Sequence, residues 1–370
     1  MIRSNLVINE RYKVIKNLGI GGMSEVWLSE DLLLSRNVAL KFMNETYSVS
    51  NPESIKVLND EAKLGAQLIE HPNVVTTLDY GVYKDKYTSV GIYYIVMEYV
   101  EGINLDKWIK DYTNRFDVET IYNINLFIAW EVCKAINYAH SKGILHRDIK
   151  PLNIFMSKIG TSKIGDFGIS SFIEEATKAH TVWKSNTPAY CSPEQWNGEK
   201  HTKKTDIYQL GCTLYELFTG TLPYQTNTMA SLINAHISDK PTSPKEINPI
   251  ISEGLSNAII EAIAKDSDER VELWEISELL AKEIQVKYQM QIDVHECEPD
   301  IHELVSKITD FGIEYIKLEK CTYDFSDFSE ALSESIQLIL AQIVNIKVYK
   351  KVVDCCTPGR INFTNHRQNS

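Results

Sequence analysis

Within His146-Arg147-Asp148-Ile149-Lys150-Pro151-Leu152-Asn153 a carboxylate, an ammonium group and a carboxamide fall inside six positions. Asp166-Phe167-Gly168 adds a second carboxylate thirteen residues after the asparagine. Asp148 can accept a hydrogen bond from an attacking hydroxyl, and Lys150 can neutralise charge on a moving phosphoryl group. Asn153 and Asp166 can hold a divalent cation between phosphates. The chemistry that needs all four groups is phosphoryl transfer.

Two further segments supply parts that such chemistry requires. Val38-Ala39-Leu40-Lys41 places one lysine in an apolar strand, which is costly unless its ammonium meets anions. Phosphate oxygens and a helix carboxylate would serve, and Glu61, twenty residues later on the next predicted helix, is the natural partner. Upstream, Gly19-Ile20-Gly21-Gly22-Met23-Ser24 sits between two predicted strands and is followed by Val26. Glycines let a hairpin close over triphosphate oxygens without Cβ obstruction. The hairpin setting argues against a dinucleotide site, which needs a helix after its glycines.

The elements that must position these groups are legible from periodicity. Strands are predicted at 12–18, 26–30, 37–43, 74–82 and 91–99, forming a small antiparallel sheet. A helix over 54–69 carries Ile55, Leu58, Ala62, Leu64, Ala66 and Leu68 and stops before His71-Pro72-Asn73. From Asn104 the pattern turns helical, with a long buried stripe from Ile121 to Ala139 that ends at Gly143. Further helices are predicted at 206–220, 255–264 and 270–285. Beyond these, Leu332, Ile336, Ile339, Ile343 and Ile346 recur at helical spacing, so residues 285–370 read as a small helical extension.

On these motifs the chain resembles the eukaryotic-type (Hanks) serine/threonine protein kinases, and the Gly-Gly-Met of the loop and Ser192-Pro193-Glu194-Gln195 are similar to bacterial members. The resemblance covers residues 10–284. It implies an α+β, two-lobed fold: a five-stranded antiparallel sheet plus one helix over about 10–98, and a mainly helical lobe over about 102–284. It implies Mg-ATP, or Mn-ATP, in the cleft, with Asn153 and Asp166 on the metal. Adenine would bond the backbone of Glu98-Tyr99-Val100, with Met97 as gatekeeper and Val26, Ala39 and Phe155 around the ring. Leu18, Gly19, Ile20, Gly21, Gly22, Met23, Ser24 and Lys41 complete the nucleotide site.

The same resemblance makes Asp148, Lys150, Asn153, Lys41, Glu61 and Thr187 the catalytic set and Glu194 a partner for Arg270. Lys150 and Thr187 imply serine or threonine rather than tyrosine as acceptor. Arg147 beside Asp148 implies control by a phosphate on the following loop, where Thr177, Thr181 and Ser185 are candidates and Thr181 matches the family position. Ser24, Asn186 and Ser192 depart from the usual residues, and none removes a charged group.

Bulk properties exclude other classes. The chain of 370 residues has net charge −12, with 29 basic against 37 acidic side chains up to residue 284 and 9 against 13 beyond it. Both parts are acidic, which disfavours nucleic acid or an anionic membrane as partner. Seven cysteines without a CxxC pair read as reduced thiols. No secretory signal or bilayer-length apolar run is present, so a cytoplasmic protein is expected, acting on protein substrates. Two alternatives remain at this point. A pseudokinase scaffold is disfavoured by the retention of Lys41, Asp148, Asn153 and Asp166; a small-molecule phosphotransferase is disfavoured by the Ser-Pro-Glu segment. The extension reads as helices that pack on the lobe or support weak self-association.

Overall fold

Alternation of apolar and polar residues builds the first lobe. The computed structural model describes residues 2–21, 24–43, 52–84, 91–158, 160–167 and 188–288. Gly22, Met23, Thr177, Thr181, Ser185, Asn186, Thr187 and the extension from 289 onward lie outside the described residues. Strands β1 (Val7–Ile8), β2 (Tyr12–Ile20), β3 (Ser24–Asp31) and β4 (Arg36–Met43) precede helix α1 (Pro52–Gln67), and β5 (Thr77–Lys84) and β6 (Gly91–Glu98) follow it. They pair antiparallel in the order β1-β2-β3-β4-β6-β5.

The sheet therefore has one strand more than the sequence pattern reveals. A two-residue strand is too short to show a period, yet Ile2 and Ile8 are buried in this lobe's core. The segment read as the start of the fourth strand also differs. Val74 makes a parallel bridge with Ile164 of the second lobe, and Val75 donates its N–H to Ile164, so the sheet strand begins later.

Register sorts the side chains. Val26 lies opposite Lys41, Ala39 opposite Met97, and Lys41 opposite Ile95. Paired residues share a face, so Val26, Ala39, Lys41, Ile95 and Met97 stand together. Beside them Met43 and Ile95 pack on Leu58 and Ala62 of α1. Val38, Leu40, Phe42, Tyr94 and Val96 form a separate core. Helix α1 ends before Leu68, and Ala66, counted in the predicted stripe, is exposed.

After β7 (Gly102–Asn104) comes the 24-residue helix α2 (Val118–Ser141), capped by the Asp117 side chain on Thr120 N–H. Strands β8 (Ile154–Ser157) and β9 (Ser162–Ile164) form a three-stranded sheet with β7, an element sequence reading did not separate from its helical surroundings. An added Cβ at Gly102 would stand 1.8 Å from Met156 O, so only glycine admits this strand approach. Helices α3 (Pro193–Asn197), α4 (Lys203–Thr219), α5 (Met229–Ser238), α6 (Glu253–Ala262) and α7 (Leu273–Tyr288) complete the lobe. One core joins α2, α4, α6 and α7.

Two buried histidines act against the folded state in acid. Burial, reinforced by nearby lysines, pushes His71 down to about 4 and His236 down to about 3. Unfolding returns each ring to its ordinary value, about 6.5. Below that pH the unfolded chain binds protons that the folded one refuses, so each histidine contributes a loss of about 2 kcal/mol as pH drops from 7 to 5, opposed by Glu61, Glu131 and Glu216, whose carboxyls burial raises. The depressed carboxylates Asp206 and Glu194 lose their contributions only at lower pH. Urea midpoints at pH 7 and 5 for the wild type and for His236→Phe check this: the variant is expected to lose less on acidification, and an unchanged pH dependence contradicts the role given to the ring.

Candidate active site

The groove between the lobes is a cavity of about 370 Å³. Leu18, Gly19, Ile20, Gly21, Ser24 and Val26 line it from the β2–β3 hairpin. Ala39, Met97, Glu98 and Val100 line it from the sheet and the link to the second lobe, and Asp148, Lys150, Asn153, Phe155 and Asp166 from below. Tyr99, expected through its backbone, lines it too, and Val75, Asn104, Leu152 and Gly165 also line it and were absent from the predicted site set. The hairpin is closed by Gly21 N–H donating to Ser24 O at 2.7 Å. Among the described residues no protein atom lies within 4 Å of a Cβ placed at Gly19, so packing within the fold does not require glycine there.

Lys41 and Glu61 stand behind this cavity and reach it through Asp166. Lys41 Nζ donates to Glu61 Oε1 and to Asp166 Oδ1, each at 2.8 Å, with Lys41 only 2% exposed. Burial opposes charge on the lysine, but Asp166 and Glu61 outweigh it and raise its pKa, so the ammonium persists. Burial acts to raise Asp166 as well; Lys41 outweighs it and holds this carboxylate below its ordinary range. Glu61, at the same ammonium, is held above the carboxylate range by burial, because one cation must serve two acids.

The loop after α2 brings the remaining groups together. Lys150 Nζ donates to Asp148 Oδ2 at 2.8 Å, and Asn153 Nδ2 donates to Asp148 O at 2.8 Å and to Asp148 Oδ2 at 3.1 Å. With both donors on Oδ2, Oδ1 is the oxygen available to an incoming hydroxyl. Asn153 is engaged through its nitrogen, which leaves its carbonyl oxygen for a cation beside Asp166. Two oxygen donors in a cleft of this kind suit magnesium, which binds few protein ligands and keeps phosphates and water in its shell.

Strain in this loop is held by a polar network. Arg147 and Asp166 adopt φ of 68° and 63°, a left-handed conformation that non-glycine residues rarely adopt. The fully buried Asp206 of α4 accepts from His146 N–H at 2.9 Å, Arg147 N–H at 2.7 Å and His140 Nε2 at 2.7 Å. Burial would raise this acid; the His140 bond and neighbouring charges outweigh it and lower its pKa. Gln209 and Gln195 donate to Arg147 O at 2.8 and 3.3 Å, and Gln209 Oε1 accepts from Ile149 N–H. The sequence sets Gln209 beside Asp206 on one helical segment and Gln195 in the Ser-Pro-Glu-Gln segment, but neither position announces its bond to Arg147 O. The available signal was Gln209 between Tyr208 and Leu210, a polar residue in an apolar helical run.

Phe167 is buried against His146, with ring centroids 4.4 Å apart, and His146 Nε2 lies 2.9 Å from Gly165 O. Glu194 and Arg270 form a two-bond pair at 2.7 and 2.8 Å, as the motif reading expected. Arg147 Nε is buried without a hydrogen-bond partner among the described residues.

Comparison with known proteins agrees with this architecture. The family model for the protein kinase domain matches residues 12–283. The chain is 38% identical over 265 residues to the serine/threonine-protein kinase PrkC of Bacillus subtilis, covering 72% of this chain and 39% of that protein. It is 35% identical over 266 residues to the serine/threonine-protein kinase PknB of Mycobacterium tuberculosis, covering 71% and 41%. The chain thus spans about two fifths of the length of these relatives. Among solved structures, the Mycobacterium tuberculosis PknI kinase domain superposes with TM-score 0.57 at 23% identity, covering 77% of this chain and 99% of that domain, a likeness of fold. Among the described residues no helix is long and apolar enough to cross a membrane. A glycine hairpin over a cleft, a lysine shared by two carboxylates and an Asp-Lys-Asn loop, carried by a match over 12–283, assign the chain to the protein kinase domain family.

Proposed function

We propose that this chain is an ATP-dependent serine/threonine protein kinase, transferring the γ-phosphoryl group to Ser or Thr hydroxyls of proteins. The observation that carries this reading is the convergence of Lys41–Glu61–Asp166 and Asp148–Lys150–Asn153 on one cleft. Magnesium, or manganese, when held by Asn153 and Asp166, neutralises phosphate charge. Lys41, anchored by Glu61, orients the inner phosphates. Asp148 Oδ1 accepts the hydrogen bond of the acceptor hydroxyl and orients it for in-line attack, while Lys150 offsets charge on the moving group. Lys150 at 2.8 Å from Asp148 and the similarity to serine/threonine-protein kinases support serine or threonine as acceptor.

Control by phosphorylation of the loop before Ser192 is part of the proposal. Its support is Arg147, whose Nε has no partner among the described residues and whose backbone is locked by Asp206, Gln195 and Gln209. A phosphate on Thr181, Thr177 or Ser185 supplies an anion for that guanidinium. The test is label transfer from γ-labelled ATP to a generic protein substrate, lost on chelation of the divalent metal, with phosphopeptide mapping of the chain itself. Label confined to the three loop residues supports the control proposal, and an unlabelled loop in active enzyme contradicts it.

A further inference from the structure

Glu98 enters the nucleotide site through its backbone in the reading above, yet its side chain is committed elsewhere. Glu98 Oε1 accepts from Thr76 N–H at 2.8 Å and from Lys163 Nζ at 2.8 Å. Thr76 O in turn accepts from Glu98 N–H at 2.9 Å. Lys163 lies on β9, in the second lobe, three residues before Asp166. The pair is largely shielded, with side-chain exposures of 18% and 26%, so water screens it less than an open surface pair.

Three segments meet at this carboxylate. The link 73–76 leads from α1, which carries Glu61; the end of β6 leads into the adenine-binding backbone; and β9 leads to Asp166. The link and β9 are further joined by Val75 N–H to Ile164 O and Ile164 N–H to Asn73 O, each 2.9 Å, and by Asn73 Nδ2 to Ser162 O. β9 is fixed to α2 by Ser162 N–H donating to the buried Glu131 at 2.7 Å. Backbone bonds hold the link to β9, and the Lys163–Glu98 side-chain pair ties β9 to the end of β6.

We propose that the Glu98–Lys163 ion pair is a positioning clamp between the lobes. It holds the adenine-binding backbone at a set distance from the strand that presents Asp166, so that both ends of a nucleotide meet their contacts at once. The pair coexists here with the assembled Lys41–Glu61–Asp166 cluster, the arrangement it is inferred to support. The clamp rests on the kinase reading, and its primary readout is one that does not depend on turnover.

The experiment measures Mg-ADP affinity of the full chain by calorimetry, with melting temperature as a check on folding. Lys163→Met and Glu98→Gln, which keeps an acceptor for Thr76 N–H, are each expected to weaken binding about tenfold, while Lys163→Arg stays within about twofold of wild type. The double variant is expected to be no weaker than either single one, since the second change removes an interaction already lost. In turnover assays the loss falls mainly in KM for ATP. Wild-type affinity in both single variants, or losses that add in the double, overturns the clamp; should Lys163→Met not fold, Glu98→Gln decides. A wild-type chain that binds Mg-ADP but transfers no phosphoryl group overturns the kinase reading instead, and the affinities still judge the clamp.

Discussion

Replacing Lys41 with methionine is expected to lower kcat/KM for phosphoryl transfer at least about a hundredfold, the scale for loss of a preorganised charge at a transition state. Methionine keeps most of the volume and the apolar stem, so the strand should hold its place. The ammonium is what goes, and with it the bridge that joins Glu61 to Asp166, each 2.8 Å from Nζ. Two carboxylates left beside each other without that cation cannot both stay ionised in a buried site, so Glu61, already held above the carboxylate range by burial, takes up a proton. Initial-rate measurements of both proteins, with thermal melts to verify folding, check this. A variant within tenfold of wild type contradicts the role given to Lys41.

The largest effect on stability is expected at Arg270. Its guanidinium is fully buried, makes two bonds to Glu194 and also donates to Ala264 O at 2.9 Å and Lys204 O at 2.8 Å. Arg270→Ala leaves a shielded carboxylate and three carbonyls, Lys265 O included, without these donors, a loss of about 3–5 kcal/mol. Glu194 retains its bond from Thr205, at 2.9 Å, which does not neutralise it. The pair need not be better than an apolar substitute, so Glu194→Leu combined with Arg270→Met should recover much of the loss. Urea unfolding of the single and double variants measures it. Losses that sum in the double variant would show that the two residues act independently.

How much could be read from the sequence depended on whether a role was local. Asp148, Lys150 and Asn153 lie in one loop, so spacing alone announced them, and the structure joins them by 2.8–3.1 Å bonds. Lys41 and Glu61 were inferred from the cost of an inward lysine, a physical argument that survived across twenty residues. The sheet and long helices followed from periods of two and 3.6. The two-residue β1 carries no period, and β7, β8 and β9 are three or four residues each, too short to stand out beside helical neighbours.

Roles that depend on distant chain segments stayed hidden. Gln195 and Gln209 fall within recognisable segments, but their bonds to Arg147 O exist only once α3 and α4 bring both there. Glu131 reads as one polar position on a long helix, yet it is buried and accepts from Ser162 N–H. Glu98 was selected for its backbone, whereas its side chain bonds a lysine 65 positions away. In each case the informative fact is which backbone donor or acceptor a buried polar group satisfies, and no window of sequence contains it.

The central claim is that the cleft transfers phosphate with Asp148 orienting the acceptor hydroxyl. The direct measurement is incorporation of label from γ-labelled ATP and magnesium into a generic protein substrate, by the wild-type chain and by Asp148→Asn, followed by phosphoamino-acid analysis. The account predicts labelled phosphoserine and phosphothreonine from the wild type, a rate lowered about 10²–10⁴-fold in Asp148→Asn, and undiminished nucleotide affinity in that variant. A wild-type chain that incorporates no label, or an Asp148→Asn variant as fast as wild type, contradicts it.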